Sequence, residues 1–221
     1  FDEAGVQFIM NPYDEWYALV RAVELVEAAG GSVTLMNVGP ASNDTIIRKG
    51  LAIGADDAVR IDAEPSSAYF VAAQIAAYAK DKSFDLIMLG KETIDYNGSE
   101  VGSMLAQLMD YPFISFASEK KVEGSEVILS REIEGGTEVF STSLPLVVSA
   151  AKGMAEQRIP NMKGIMGAKK KPLEVIAPVA IEERTRFTGF TLPDAKGAVR
   201  MIAPDDMEEL VRLLHEEAKV I

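Results

Sequence analysis

The 221-residue chain is 48% hydrophobic and carries a formal net charge of −12, so it has material for a sizeable core and lacks the basic balance a nucleic-acid partner needs. It contains no cysteine, which removes disulfides, thiolate nucleophiles and cysteine-ligated metals and fits a reducing, cytoplasmic setting. No apolar run approaches the roughly 18 residues that mark a membrane-spanning helix.

The chain opens on Phe1 rather than methionine and enters the apolar segment 6–10 almost at once. From this we expect an earlier segment in the natural protein. Asn11-Pro12 then opens a helix, with proline near the first turn, where its missing N–H costs nothing. Trp16, Leu19, Val20, Val23 and Val26 form its inner stripe, and Gly30-Gly31 ends it. Residues 33–38 read as a strand. Gly39-Pro40 turns into a helix capped by Ser42, with Ile46, Ile47 and Leu51 inward and Gly54 as its stop. A short strand follows at 58–61. Ser66 or Ser67 caps a helix through Val71, Ile75 and Tyr78. Residues 84–89 form the next strand, and a glycine-punctuated loop leads to Val101, Met104, Leu105 and Leu108, spaced as one helix face. This alternation predicts an α/β fold: a mostly parallel twisted sheet with helices on both faces.

After Pro112 the pattern changes. Segments 113–116, 127–130 and 139–142 are separated by Glu123-Gly124-Ser125 and Glu134-Gly135-Gly136, hairpin spacings that predict an antiparallel meander. Segment 146–150 returns to a buried-strand composition. Residues 151–171 show no strong periodicity, and an irregular stretch of ~20 residues inside a compact domain is commonly functional. The stretch 182–197 is polar with little core pattern. A last helix carries Met207, Leu210, Val211 and Leu214 as its apolar stripe, with Asp205 and Glu208 at capping-box spacing. We expect an α/β nucleotide-binding domain over 1–177 and a C-terminal arm and helix over 178–221.

The most informative stretch is the loop from Gly90 into the helix at Val101. It leaves the carboxyl end of a parallel strand, where open α/β sheets bind ligands, and enters a helix amino terminus, which suits a phosphate. It matches neither Gly-x-x-x-x-Gly-Lys-Ser/Thr nor Gly-x-Gly-x-x-Gly. Asp56-Asp57 and Glu92/Asp95 are carboxylate pairs without a perturbing neighbour in sequence, and we assign no catalytic residue to them. His215 is the only histidine, so a histidine triad and a multi-histidine metal site are excluded by count; it reads as a solvent-facing residue of the last helix. Lys169-Lys170-Lys171 reads as a solvated run or as a docking patch for acidic partners, beside the methionines of the irregular segment.

Five stretches in order, Gly5-Val6-Gln7-Phe8-Ile9-Met10-Asn11-Pro12, Leu51-Ala52-Ile53-Gly54-Ala55-Asp56, Gly90-Lys91-Glu92-Thr93-Ile94-Asp95, Arg131-Glu132-Ile133-Glu134-Gly135-Gly136 and Arg158-Ile159-Pro160-Asn161 running on to Lys171, resemble the β (small) subunit of electron transfer flavoproteins. The resemblance covers nearly the whole chain. It implies an adenine-nucleotide-binding, universal-stress-like fold, and a heterodimer with a larger α subunit that holds most of the redox-active FAD. It also implies a structural AMP in this subunit. Electrons are then taken from acyl-CoA and related dehydrogenases of fatty acid β-oxidation and passed to a quinone-reducing acceptor. The chain is expected to be an electron carrier rather than an enzyme.

Residue by residue, the resemblance places nucleotide contacts on Asn11, Pro12, Tyr13 and Asp14, on Val38, and on Asp95-Tyr96-Asn97-Gly98-Ser99-Glu100-Val101-Gly102-Ser103-Met104-Leu105-Ala106. It places partner recognition on residues 157–171. Ile159 fits the apolar anchor by its Ile-Pro-Asn match, Met162 by spacing back from Lys169, Lys170 and Lys171. Glu100 departs from the glutamine many members carry beside the phosphate, and a carboxylate there is unfavourable unless it points away. Some members bind a second FAD in place of AMP, with an Asp-Gly-Asp-Thr loop; Asp95-Tyr96-Asn97-Gly98 differs, which favours AMP. An ATP-using enzyme of the same superfamily is the alternative of a different class.

Overall fold

The computed structural model describes residues 4–123 and 126–221, which separate into two compact units, Phe1–Arg186 and Phe187–Ile221. In the first unit six strands pair in parallel. β1 (Thr34–Val38), β2 (Asp57–Ile61) and β9 (Leu173–Ile176) form one ladder in that order. β3 (Leu86–Gly90), β8 (Leu146–Ala150) and β4 (Phe113–Ala117) form a second, ordered β3-β8-β4. An antiparallel ladder, β5 (Glu119–Glu123), β6 (Glu126–Ile133) and β7 (Gly136–Ser143), completes the sheets. Five helices flank them: α1 (Glu15–Ala29), α2 (Asp44–Ile53), α3 (Ala68–Ala79), α4 (Val101–Met109) and α5 (Met162–Ala168). The second unit carries α6 (Met207–Arg212), continued by a wider turn over Leu213–Glu217. The mostly parallel α/β architecture with an antiparallel addition is the one expected.

The helix α1 explains how the two parallel ladders share one body. Leu19, Val20 and Val23 pack with Val33, Ile47 and Leu51 in the core beside β1 and α2. Ala18, on the adjoining face, packs with Leu146, Val148 and Ala150 of β8. Each large side chain so buried contributes about 1.5–3 kcal/mol. All five residues of β8, the middle strand of its ladder, are buried, as a strand covered on both faces must be. A third cluster joins α3 to α4 through Ala72, Ala76, Ala79, Leu105 and Met109.

Several local expectations are corrected. Segment 113–116 is not the first strand of the meander: it lies in β4, parallel to β8. The meander's first strand is the charged Glu119–Glu123, which has no apolar alternation to betray it and forms by pairing with β6. Gly124 and Ser125 of the first expected turn lie outside the described residues. The second turn is as expected, a two-residue connection in which Gly135 takes φ +85°. Ser42 does not cap α2; it sits in a short 3-10 turn whose end, Asn43, is the N-cap without a side-chain bond. Ser67 rather than Ser66 caps α3, accepting from the Phe70 N–H at 3.0 Å. Asp206 rather than Asp205 caps α6. The segment 151–171 is not wholly irregular, since Asn161 accepts from the Gly164 N–H and starts α5.

The chain leaves the first unit under restraint. The buried Gln74 of α3 accepts from the Val179 N–H at 2.8 Å and donates to the Val179 carbonyl at 2.7 Å, in the manner of a strand partner. Ser67 Oγ donates to Glu183 at 2.9 Å, and Ser66 bonds the same carboxylate. In the second unit residues 187–203 form neither helix nor strand, and Arg212 binds Glu209 and Glu216. His215 is exposed, as expected. Among the described residues no helix is long and apolar enough to cross a membrane.

Candidate functional site

The strands of the second ladder end almost level: Gly90 is in register with Ala150, and Ala117 pairs with Ala150 from the other side. The connections leaving these three carboxyl ends converge on the amino end of α1, the position where parallel sheets place ligands.

Asn11 organises that convergence. Its Oδ1 accepts from the N–H of Tyr13 at 3.0 Å and of Asp14 at 3.4 Å, while its own N–H donates to Glu15 Oε2 at 3.0 Å. This reciprocal arrangement satisfies the amides of the turn that leads into α1 and ties that turn to the helix's first residue. Asn11 Nδ2 donates to the Glu92 carbonyl at 3.2 Å, tying the helix start to the β3–α4 loop. Gly90 is needed here because a Cβ would stand 3.1 Å from both Asp14 Cβ and the Glu15 nitrogen. Asp14 is buried, and burial holds its carboxyl above the usual carboxylate range, with nearby Lys91 pulling the other way. Burial also raises Glu15. Lys91 pairs with Glu92 at 2.7 Å, which raises the ammonium, and lies 5.9 Å from the Phe116 ring centre.

The β3–α4 loop closes on itself. Thr93 N–H donates to the Gly98 carbonyl at 2.9 Å, Gly98 N–H to Thr93 Oγ1 at 2.9 Å, and Asn97 N–H to the Thr93 carbonyl at 2.9 Å, with Asn97 at φ +54°. Glu100 occupies the N-cap of α4 and supplies no side-chain bond, so the first turn carries no internal anionic cap. Ser99, Glu100 and Ser103 are exposed beside it. The rest of the expected contact segment divides. Asp95, Tyr96 and Asn97 are exposed and Gly98 half-buried, while Leu105 lies in the α3–α4 core and Ala106 is buried. Gly102 also faces inward: a Cβ would meet the Phe113 ring at 2.9 Å and Leu89 at 3.2 Å. Its absence of side chain serves helix-on-strand packing.

A cleft of about 480 Å³ is lined by Asn11, Tyr13 and Asp14, by Lys91, Glu92, Ile94 and Asn97, and by Phe116, Ser118, Glu132, Ala151 and Lys152. It brings together two of the three expected contact segments. Val38 is buried and does not line it; its turn is set instead by buried Arg60, which donates to the Gly39 carbonyl at 3.0 Å and binds Asp44 and Asp62. Phe116, Ser118, Glu132, Ala151 and Lys152 line the cleft without having been expected. The last two directly follow the carboxyl end of β8, a signal the sequence did offer. Phe116 enters through a left-handed conformation, φ +57°, which its residue type does not advertise. The acidic pairs have structural employment: Asp56 Oδ2 accepts from the Val33 N–H at 2.8 Å, and Glu92 holds Lys91. Among the described residues no cluster of acidic or histidine side chains could hold a metal.

The segment 157–171 is fixed at both ends, and most of the residues between are exposed. Gln157 Nε2 donates to the Pro12 carbonyl at 2.7 Å, and Trp16 Nε1 to the Arg158 carbonyl at 3.3 Å. Arg158 grips Glu27 with two bonds, 2.7 and 2.8 Å, which hold the Glu27 carboxyl below its usual range. Ile159 and Met162 are 84% and 72% exposed, and Ile165 and Met166 are also exposed. Lys169 and Lys170 face solvent, whereas the Lys171 ammonium is turned onto main-chain carbonyls of α2.

A family model described as an electron transfer flavoprotein domain matches residues 1–181. The electron transfer flavoprotein subunit beta of Bacillus subtilis is 37% identical over 231 residues, covering 98% of this chain and 90% of that protein. The human subunit beta is 33% identical, covering 98% and 88%, and that of Bradyrhizobium diazoefficiens 33%, covering 99% and 89%. With the family model spanning most of the sequence and such relatives aligned along nearly all of it, this chain belongs to the electron transfer flavoprotein family, among its beta subunits, and is an electron carrier rather than a catalyst.

Proposed function

We propose that this chain is the small subunit of a heterodimer, helps a larger α subunit hold FAD, and binds AMP at the amino end of α4. Its electrons come from acyl-CoA and related dehydrogenases and go to a quinone-reducing acceptor in the cytoplasm. The observation that carries the nucleotide reading is the start of α4: a helix end with no side-chain cap, flanked by Ser99 and Ser103 and reached through a loop closed by Thr93. Free N–H groups and the helix dipole there favour a phosphate. The neighbouring cleft has the size of a small-molecule site and offers Tyr13 and Phe116 as apolar walls.

Two surfaces support the partner readings. The first unit holds out Ile159, Met162, Ile165 and Met166 for a dehydrogenase, with Lys169 and Lys170 able to steer acidic partners. The second unit exposes Phe187, Phe190, Leu192, Val199 and Met201 along a stretch without regular structure, as a segment meant to lie on an α subunit would.

The test is to purify the natural complex, record its visible spectrum and identify the nucleotides it releases. A flavin spectrum with FAD and AMP released together is the expected result. Two FAD without AMP would replace the AMP assignment. ATP turnover, or a colourless and nucleotide-free complex, would overturn the reading.

A further inference from the structure

α2 and α5 end beside each other, and each is closed by a cation belonging to the other's side. Arg48, in α2, donates through Nη1 to the Ala168 carbonyl at 2.7 Å and the Lys171 carbonyl at 2.6 Å, at the carboxyl end of α5. Lys171, three residues past α5, donates through Nζ to the Leu51 carbonyl at 3.0 Å, the Gly54 carbonyl at 3.4 Å and the Ala55 carbonyl, at the carboxyl end of α2. A cation at the negative end of a helix dipole is favourable, and here there are two in exchange. The ammonium has three protons and three carbonyls in reach. Between these contacts Gly164 lies so close to α2 that a Cβ would stand 2.5 Å from the Ala52 carbonyl, and Ala168 is buried in the core with Leu51 and Ala52.

α5 has seven residues, too short to be stable by itself. Yet it carries Met162, Ile165 and Met166, the exposed apolar side chains next to Ile159. We propose that Arg48 and Lys171 are positioning residues: their reciprocal capping holds α5 against α2 so that this apolar surface is already ordered when a partner protein arrives. This rests on the reading that segment 157–171 docks a dehydrogenase. It separates Lys171 from its neighbours, since Lys169 and Lys170 act through charge in solution whereas Lys171 acts through the shape of the loop. Ordering a surface beforehand removes the entropy loss of ordering it on binding, which is the usual effect of preorganisation on affinity.

The experiment uses the flavin-loaded heterodimer and compares Arg48→Met, Lys171→Met, Arg48→Lys, Ile159→Ala and Met162→Ala. A control, Val127→Ala, weakens a fully buried position of the antiparallel sheet. Donor-to-flavin electron transfer is measured as KM for the carrier and kcat, alongside flavin content, melting temperature and amide exchange over 162–168. Arg48→Met and Lys171→Met should each raise KM about tenfold, the equivalent of freezing one or two side chains. Flavin content and kcat should stay unchanged and exchange over 162–168 should quicken. Arg48→Lys, which keeps a cation beside the same carbonyls, should recover most of the KM. Unchanged KM in both Met variants while Ile159→Ala or Met162→Ala raises it overturns the positioning role and leaves docking intact. An equal KM rise in Val127→Ala reduces the effect to general stability and also overturns it. If neither Ile159→Ala nor Met162→Ala moves KM, the docking reading fails and the proposal with it. Should Arg48→Met not assemble, Lys171→Met decides.

Discussion

Asn11 Nδ2 lies 3.2 Å from the Glu92 carbonyl oxygen, a hydrogen bond between residues 81 apart in sequence that joins the start of α1 to the β3–α4 loop. One side chain therefore fixes the turn that leads into α1 and ties together two walls of the cleft.

Replacing it should separate these roles. Asn11→Ala removes the turn bonds and the tie and should cost about 2 kcal/mol, the sum of about two ordinary hydrogen bonds. Asn11→Ser keeps an acceptor for the helix start but is too short to reach Glu92. It should retain about half of that stability while losing the stabilisation that added AMP confers. Urea unfolding with and without AMP checks both. A Ser variant with an undiminished response to AMP would show that the tie does not shape the nucleotide site.

Glu100 is exposed at the N-cap of α4, next to the helix end proposed for the phosphate, and makes no capping bond of its own. A like-charge pair at ~4 Å in a water-like dielectric opposes binding by about 1 kcal/mol. Glu100→Gln should tighten AMP binding about fivefold, with the gain shrinking at high salt. Calorimetric titration at two ionic strengths measures it, and equal affinity of the two proteins would move the phosphate away from this residue.

Asp14 gives a pH signature. Burial raises its folded carboxyl above the usual aspartate range, so the folded state holds the proton more tightly than the unfolded chain. Its contribution to folding is then favourable in acid and is lost as pH rises through the raised folded value. Asp14→Asn removes the ionisation. The variant should melt higher than the natural protein at pH 7, and the two should converge as pH falls below about 4. A gap that stays constant with pH would mean that the substitution acts through packing alone.

Gly102 tests packing against ligand approach. A methyl there would meet the Phe113 ring, so Gly102→Ala should destabilise by about 1–3 kcal/mol. Phe113→Leu in the same chain should return much of that loss, because the smaller side chain vacates the contact. A double-mutant cycle reads the coupling. Loss of AMP binding without loss of stability would instead assign Gly102 to the ligand.

Much of this molecule could be read before it was seen, where the signal was local. Val33 to Val38, Leu146 to Ala150 and the stripe Leu19, Val20, Val23 announce themselves by composition or period, and they are strand, strand and buried helix face. β5 could not be read, because Glu119, Lys120 and Lys121 have strand geometry only through the partner β6. α3 buries Ala72, Ala76, Ala79 and Gln74 more deeply than Val71 and Ile75, since close approach of α4 favours small side chains over large ones. The cleft was half legible. Asn11 and the loop after β3 lie where topology places ligands, but Phe116 and Glu132 come from β4 and β6, strands whose place at the cleft no local pattern gives away. The Lys171 side chain shows the same limit, because a lysine run looks alike whether its members face water or a helix end.

The doubly bonded Gln74 has a mechanical consequence. β9 is only four residues long and sits at the margin of its ladder, so it would peel if the chain beyond it were pulled. Two hydrogen bonds at Val179, three residues past that strand, transfer such a load to α3 instead. Whatever tension residues 187–221 carry in an assembly reaches an anchored knot first and the sheet edge second.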